Sequence, residues 1–218
     1  RLNASTGYGT DGTSDTTVGI SGGTDLVSYS VQAGYLDVGG FSALHNKNDI
    51  SYNPDDDGYR NSNGSANFAL RPAKGQEIGV NLLASSGTNQ YDGNDFSAVG
   101  AAKNYSSDQT VSSYSIYSRN RLNEVWTSTL RLGTSMDAAE DYAGSVRTAT
   151  FRTDMDQASW QNDIKLPIGE ALLAAEYNKQ RVSGSTDYTA SERTINSLLA
   201  GWNADIEKHR LQLNLRRD

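Results

Sequence analysis

The sequence predicts an all-β fold, an antiparallel transmembrane β-barrel of about 11 long strands. Three observations carry that expectation. Apolar and polar residues alternate with period two along most of the chain. The apolar set is thin and continuous, with Tyr and Trp near its limits, while the alternate set holds Arg, Lys, Glu and Gln. The connections alternate between short and long, the pattern of barrels whose short turns face the periplasm and whose longer loops face outside.

Each element rests on its own alternation. Leu2, Ala4, Thr6 and Tyr8 alternate with Asn3, Ser5 and Gly7. Val27, Tyr29, Val31, Ala33 and Tyr35 alternate with Ser28, Ser30, Gln32 and Gly34. Ala66, Phe68 and Leu70 precede the turn Pro72 to Gln76, and Ile78, Val80, Leu82 and Ala84 follow it. Tyr114 and Ile116 then mark a strand of their own, as do Trp126, Leu130 and Leu132. Ala158, Trp160, Ile164 and Leu166 lead to Ala171, Leu173, Ala175 and Tyr177. Leu198, Ala200 and Trp202 precede a last run of Leu211, Leu213 and Leu215. Tyr29, Tyr35, Trp126, Trp160 and Trp202 read as interface girdle residues. The expected short turns are 22–25, 72–76, 123–124, 167–170 and 206–208, and the expected long loops are 9–14, 43–63, 87–109, 137–144 and 183–192.

Composition narrows the class. The 218 residues are read as a single barrel region, 1–218. Hydrophobic residues make up 36% and the longest apolar run, Ala171 to Ala175, is far too short for a membrane helix. Glycine (21) is abundant and proline (3) scarce, as in a many-stranded protein. A net charge of -7 argues against a nucleic-acid partner. With no cysteine, disulfides, zinc thiolates and cysteine nucleophiles are excluded. His45 and His209 flank no catalytic motif, so no enzyme is expected. The chain begins at Arg1 without a leader and reads as a mature protein or a fragment. A soluble β-sandwich also shows one apolar face and stands as the alternative. With an odd strand count the first and last strands run the same way, which single-chain bacterial barrels avoid. The chain is therefore expected to be part of a larger barrel, or else the count is off by one and the barrel is small and closed.

Two acidic loops are the constellation that carries chemistry. Asn53-Pro54-Asp55-Asp56-Asp57-Gly58-Tyr59 follows Asp49, and Asn89-Gln90-Tyr91-Asp92-Gly93-Asn94-Asp95 lies one hairpin later on the same side. Carboxylates this dense repel unless neutralised, and a hard cation with six to eight oxygen ligands would do so. Arg121, Arg131, Glu176 and Arg216 read as solvated charges of the lumen wall.

The segment Leu2 to Gly9, the Pro54 to Tyr59 loop, the Asn89 to Asp92 segment and Asp108 resemble the barrel of the cobalamin transporters among the TonB-dependent outer-membrane receptors. The resemblance implies a barrel of about 22 strands filled by an N-terminal plug. It implies import of cobalamin across the bacterial outer membrane, powered by TonB acting through a plug that this sequence lacks. It also implies calcium bound by Asp49, Asp55 and Asp57 of one loop with Tyr91, Asp92 and Asp108 of the next, Asp56 and Asp95 standing behind them. The loops so ordered form part of the ligand site. The alternatives are a TonB-dependent receptor for a siderophore or another nutrient, and a small closed porin-like or structural barrel.

Overall fold

The computed structural model describes residues 1–42, 44, 46–49, 51–93 and 104–218. Eleven strands form one sheet. In chain order they are β1 (Leu2–Tyr8), β2 (Ser14–Gly23), β3 (Val27–Val38), β4 (Tyr59–Leu70), β5 (Gln76–Tyr91), β6 (Tyr105–Arg121), β7 (Trp126–Ala143), β8 (Val146–Lys165), β9 (Glu170–Gly184), β10 (Glu192–Ile206) and β11 (His209–Arg217). Every strand pairs antiparallel with its sequence neighbours, so spatial order equals sequence order. This is an up-and-down meander, the connectivity of a barrel wall.

Register fixes which side chains share a face, because residues directly opposite in an antiparallel pair point the same way. One row runs Leu2, Ile20, Val31, Ala66, Leu82, Tyr114. A second runs Phe68, Val80, Ile116, Leu132, Ala158, Tyr177. These rows form a continuous apolar band that no other part of the chain covers: Ile116 is 48% exposed and Leu132 49%. Among the described residues the sole buried hydrophobic is Ala204. A sandwich would bury such a face against a second sheet; here none packs on it, and the sandwich alternative falls away. The band is instead the outer surface that lipid covers.

The opposite face is the lumen wall. Its middle over β4 to β6 is amide-rich. Asn61 donates to Ser85 Oγ at 2.9 Å, Asn63 to Asn61 Oδ1 at 3.0 Å and Asn81 to Ser115 Oγ at 3.1 Å. Three tryptophans stand on the outer face towards the short-turn ends of their strands, each with its indole N–H satisfied. Trp126 donates to Asn162 Oδ1 (3.0 Å), Trp160 to Ser128 Oγ (2.9 Å) and Trp202 to the Ile168 carbonyl (3.1 Å). That is how an aromatic belt keeps its rings apolar and its polar tips paired.

The short turns lie where the sequence places them, at 24–26, 71–75, 122–125, 166–169 and 207–208. Three of the long loops do not. The expected loop 43–63 shifts to 39–58, because β3 ends at Val38 and β4 starts at Tyr59. The expected loop 87–109 narrows to 92–104, because β5 runs on to Tyr91 and β6 starts at Tyr105. The expected loop 137–144 is replaced by the two-residue turn 144–145, with Gly144 at φ 62°. Asp137, Glu140 and Asp141 of that range are strand residues opposite Thr153, Thr150 and Ala149. On the outer face beyond the apolar band, such charges are paired, across strands or, for Arg152 and Asp154, along β8. Glu140 meets Arg147 at 3.2 Å, Asp154 meets Arg152 at 2.7 Å, Asp156 meets Arg181 at 2.7 Å and Glu192 meets Lys179 at 3.0 Å.

β1 and β11 are the two edges of the sheet and do not pair with each other. The small closed barrel is thereby corrected: β1 and β11 run in the same direction, and no antiparallel ladder joins them.

The two faces predict opposite tolerance to charge. Leu132→Arg, near the centre of the apolar band, is expected to cost about 2–4 kcal/mol in a bilayer, and Gln157→Arg on the lumen wall close to nothing. Urea unfolding of the intact protein from lipid vesicles measures both.

Candidate functional site

The acidic loops meet above the lumen through close backbone packing. Residues 39–58 connect β3 to β4, and 92–104 connect β5 to β6. Gly40, at φ +78°, donates its amide to the Asp11 carbonyl at 3.1 Å. A Cβ there would lie 1.9 Å from the Asp57 carbonyl oxygen, so only glycine lets the two ends of the loop approach. At the other end, the Gly58 amide donates to Gln90 Oε1 at 3.1 Å and the Gln90 amide to the Gly58 carbonyl at 2.9 Å. Asn53 Nδ2 donates to Asn104 Oδ1 at 2.9 Å, tying one loop to the far side of the other. Ser42 Oγ donates to the Asn53 carbonyl at 3.1 Å.

These contacts bring three carboxylates together. One oxygen from each of Asp55, Asp57 and Asp92 lies within 4.8 Å of the other two. Asp55 and Asp57 are half-buried while Asp56 between them is exposed. Asp55 Oδ1 and both Asp92 oxygens are buried without a hydrogen-bond partner. Loss of water and the nearby Asp55 charge push the Asp92 carboxyl above the ordinary carboxylate range. The amides of Leu44 and Asn53 lie near enough to offset part of that shift, without hydrogen-bond geometry to either oxygen. Direct neighbours cover the Asp92 oxygens, while the wider surroundings stay open to water.

The other expected ligands are placed differently. Asp49 Oδ1 accepts the Ser51 amide at 2.9 Å and its own amide donates to the Asn46 carbonyl, so the residue builds an Asx turn outside the carboxylate group. Asp108 accepts from Thr88 Oγ1 at 2.6 Å. Its row, Arg60, Thr88, Asp108, Glu140, is continuous with the outer face, whereas Tyr91 opposite Tyr105 belongs to the lumen side. Asp108 and Tyr91 therefore point to opposite faces. The Tyr91 ring packs on Tyr105 at 5.9 Å between centroids, directly below Asp92. Asp95 and His45 lie outside the described residues. Sequence reading passed over Gly40, Gln90, Asn53 and Asn104 as functional parts. The signal for Gly40 is the Gly39-Gly40 pair at a strand end, and for the others the amide residues flanking each acidic run.

Neutral chemistry does not account for three half-buried carboxylates around one point. The arrangement offers up to six carboxylate oxygens, the donor type that calcium selects. The residues present thus fit a hard divalent cation, with Asp55, Asp57 and Asp92 as its holders.

No protein-family model and no curated protein matches the chain. Solved structures do. The siderophore receptor PirA from Acinetobacter baumannii superposes with a TM-score of 0.69 at 14% identity, over 99% of this chain and 37% of that one. The RagAB peptide transporter gives 0.62 at 13% identity, over 94% of this chain and 31% of that one. FpvA of P. aeruginosa, bound to heterologous pyoverdines, gives 0.57 at 15% identity, over 90% of this chain and 34% of that one. At these identities the likeness is one of fold: an antiparallel β-barrel wall. The chain spans 31–37% of the length of these proteins.

Two outcomes follow for the loops. Gly40→Val is expected to separate loop 39–58 from Gln90, raising its rate of proteolytic cleavage at least tenfold while leaving strand circular dichroism unchanged. The second concerns pH. Because the Asp92 pKa is raised in the closed loops, the closed form favours the protonated acid. In chelator, closure is fully supported below the ordinary carboxylate pKa and weakens as pH rises through the raised value. Hydrogen exchange at the Gly58 and Gln90 amides should therefore speed up from acid to neutral pH by more than base catalysis alone gives, and an Asp92→Asn variant should lose that excess.

Proposed function

We propose that this chain is barrel wall of a TonB-dependent receptor in the bacterial outer membrane, not an enzyme, and that its two acidic loops close over calcium to form part of a nutrient site. The observation that carries the reading is the convergence of Asp55, Asp57 and Asp92 from two neighbouring hairpins at the long-loop end of the wall. The fold supports the barrel, since PirA is a receptor and RagAB a transporter by name. Calcium would supply the positive charge that cancels the mutual repulsion of the loops. The chain's own residues do the rest: Gly40 and Gly58 let the loop ends approach, Gln90 bridges them, and the Asn53–Asn104 contact locks the second loop to the first.

Cobalamin is the nutrient proposed, on the likeness of the two loop motifs to those of cobalamin transporters. A siderophore is the second reading, favoured by the shape likeness to PirA and FpvA. In either case TonB acts through a plug domain, and outer-membrane lipid covers the apolar band.

Binding measured on the intact receptor separates the readings. Cobalamin affinity is expected to fall at least tenfold in chelator and equally in Asp55→Ala/Asp57→Ala, with calcium restoring only the unsubstituted protein. Affinity indifferent to both changes would sink the calcium reading. Binding of a ferric siderophore with no competition from cobalamin would replace the nutrient.

A further inference from the structure

The short-turn end of the lumen wall carries a second charged constellation, opposite in sign and remote from the carboxylates. A cavity of about 580 Å³ is lined there by Asp25, Arg71, Lys74, Glu77, Arg119 and Arg121, with Leu26, Gly75 and Thr127 beside them. Four cations face two anions in a chain whose net charge is -7. Arg119 and Arg121 share the lumen face with Tyr117, two and four residues along β6.

The hydrogen bonds show which of these charges are already satisfied. Glu77 accepts Arg71 Nε at 2.8 Å through one oxygen and the Tyr117 hydroxyl at 2.9 Å through the other. Arg71 also reaches Ser28 Oγ at 3.3 Å. Arg119 stands directly opposite Glu77 in the ladder, yet makes no ion pair with it. Among the described residues neither Arg119, Arg121 nor Lys74 has an acidic partner. Arg131, one row further in, is held by the Tyr117 ring at 5.1 Å and by Ser115 Oγ at 3.3 Å. Glu77, the acid opposite Arg119, is thus committed to Arg71 and Tyr117, and Asp25, the other acid of the lining, forms no ion pair with Arg119, Arg121 or Lys74.

We infer that Arg119, Arg121 and Lys74 form an anion site that takes a carboxylate or phosphate group entering the cavity at the short-turn end of the lumen. Guanidinium forks bind such oxyanions bidentately, and two on one strand face suit a ligand with more than one anionic oxygen pair. Arg152, Arg181, Arg210 and Arg216 elsewhere on the described sheet each pair with an Asp, and Arg193 is held by Gln180, whereas Arg119 and Arg121 stand together at one cavity without an ion pair. The cavity faces the lumen, away from the apolar band, so a lipid headgroup is not the ligand. The source is a soluble polyanion or an acidic side chain of a polypeptide seated in the lumen.

Titration calorimetry on the intact protein in a zwitterionic detergent, at low salt, tests the site with citrate, pyrophosphate and a glutamate-rich hexapeptide as probes. At least one probe is expected to bind, to weaken at least tenfold in Arg119→Gln/Arg121→Gln, and to weaken by less in Arg119→Lys/Arg121→Lys, which keeps the charge and loses the fork. Asp55→Ala/Asp57→Ala, at the other end of the wall, should leave it unchanged. Stronger binding by citrate or pyrophosphate points to a free anion, and by the peptide to a polypeptide segment. No binding of any probe, or binding that the Gln variant retains, overturns the proposal.

Discussion

Everything in this molecule follows from the ladder of backbone hydrogen bonds between neighbouring strands. A chain that faces lipid cannot leave amides and carbonyls unsatisfied, and with no helix among the described residues it is strand pairing that must satisfy them. Here the ladder runs without interruption from β1 to β11, with one register shift, between Asp141 and Tyr142 in β7. Because side-chain period is two, that register decides every later property. It puts Leu82, Tyr114, Ile116 and Leu132 on one surface, and Asn81, Ser115 and Arg131 on the other. A slip of one residue would exchange lipid face for lumen across the whole wall.

The same register sorts the charges by height as well as by face. Outer-face charges cluster beyond the apolar band, in cross-strand pairs such as Arg181 with Asp156 and Lys179 with Glu192. Exposed pairs of this kind contribute little stability, about 0–1 kcal/mol each. Their effect is to leave no net field where the wall meets headgroups. The lumen side is ordered differently. It is acidic at the loop end, amide-rich in the middle of β4 to β6, with the Arg216–Glu176 pair further along the wall, and rich in arginine at the turn end. A charged solute crossing this wall would meet opposite fields at the two ends.

How much of this was legible in the sequence depends on range. Leu211, Leu213 and Leu215, or Tyr114 and Ile116, announce strands locally, and the short turns followed from where the alternation breaks. The polar extensions of β5 to β8 did not. Residues such as Asp137, Glu140 and Asp108 look like loop when judged by composition; only pairing with Thr153, Thr150 and Thr88 reveals them as strand, and pairing is a property of two segments. The same limit governs the site. The resemblance that implied Asp55, Asp57 and Asp92 as ligands also drew in Asp49 and Asp108. Asp49 spends its carboxylate on its own turn, and Asp108 falls on the outer face by parity. Counting residues from Tyr91 to Asp108 cannot give that parity, because the connection between the strands resets it.

The acidic loops end as a problem in linkage. Two unit charges a few ångströms apart repel by on the order of 1–4 kcal/mol across the range from water to protein surface. The Asp55, Asp57 and Asp92 group contains three such pairs, and its closed geometry is held by a few neutral hydrogen bonds, each contributing about 1 kcal/mol. Repulsion and tethering are therefore close in size, and the closed loops are poised rather than fixed. Whatever neutralises the group, a proton on Asp92 or a cation among the three, stabilises closure by as much as it prefers the closed form. Closure and neutralisation are then one equilibrium, and the glycines that permit the approach, Gly40 and Gly58, belong to the site as fully as the carboxylates do.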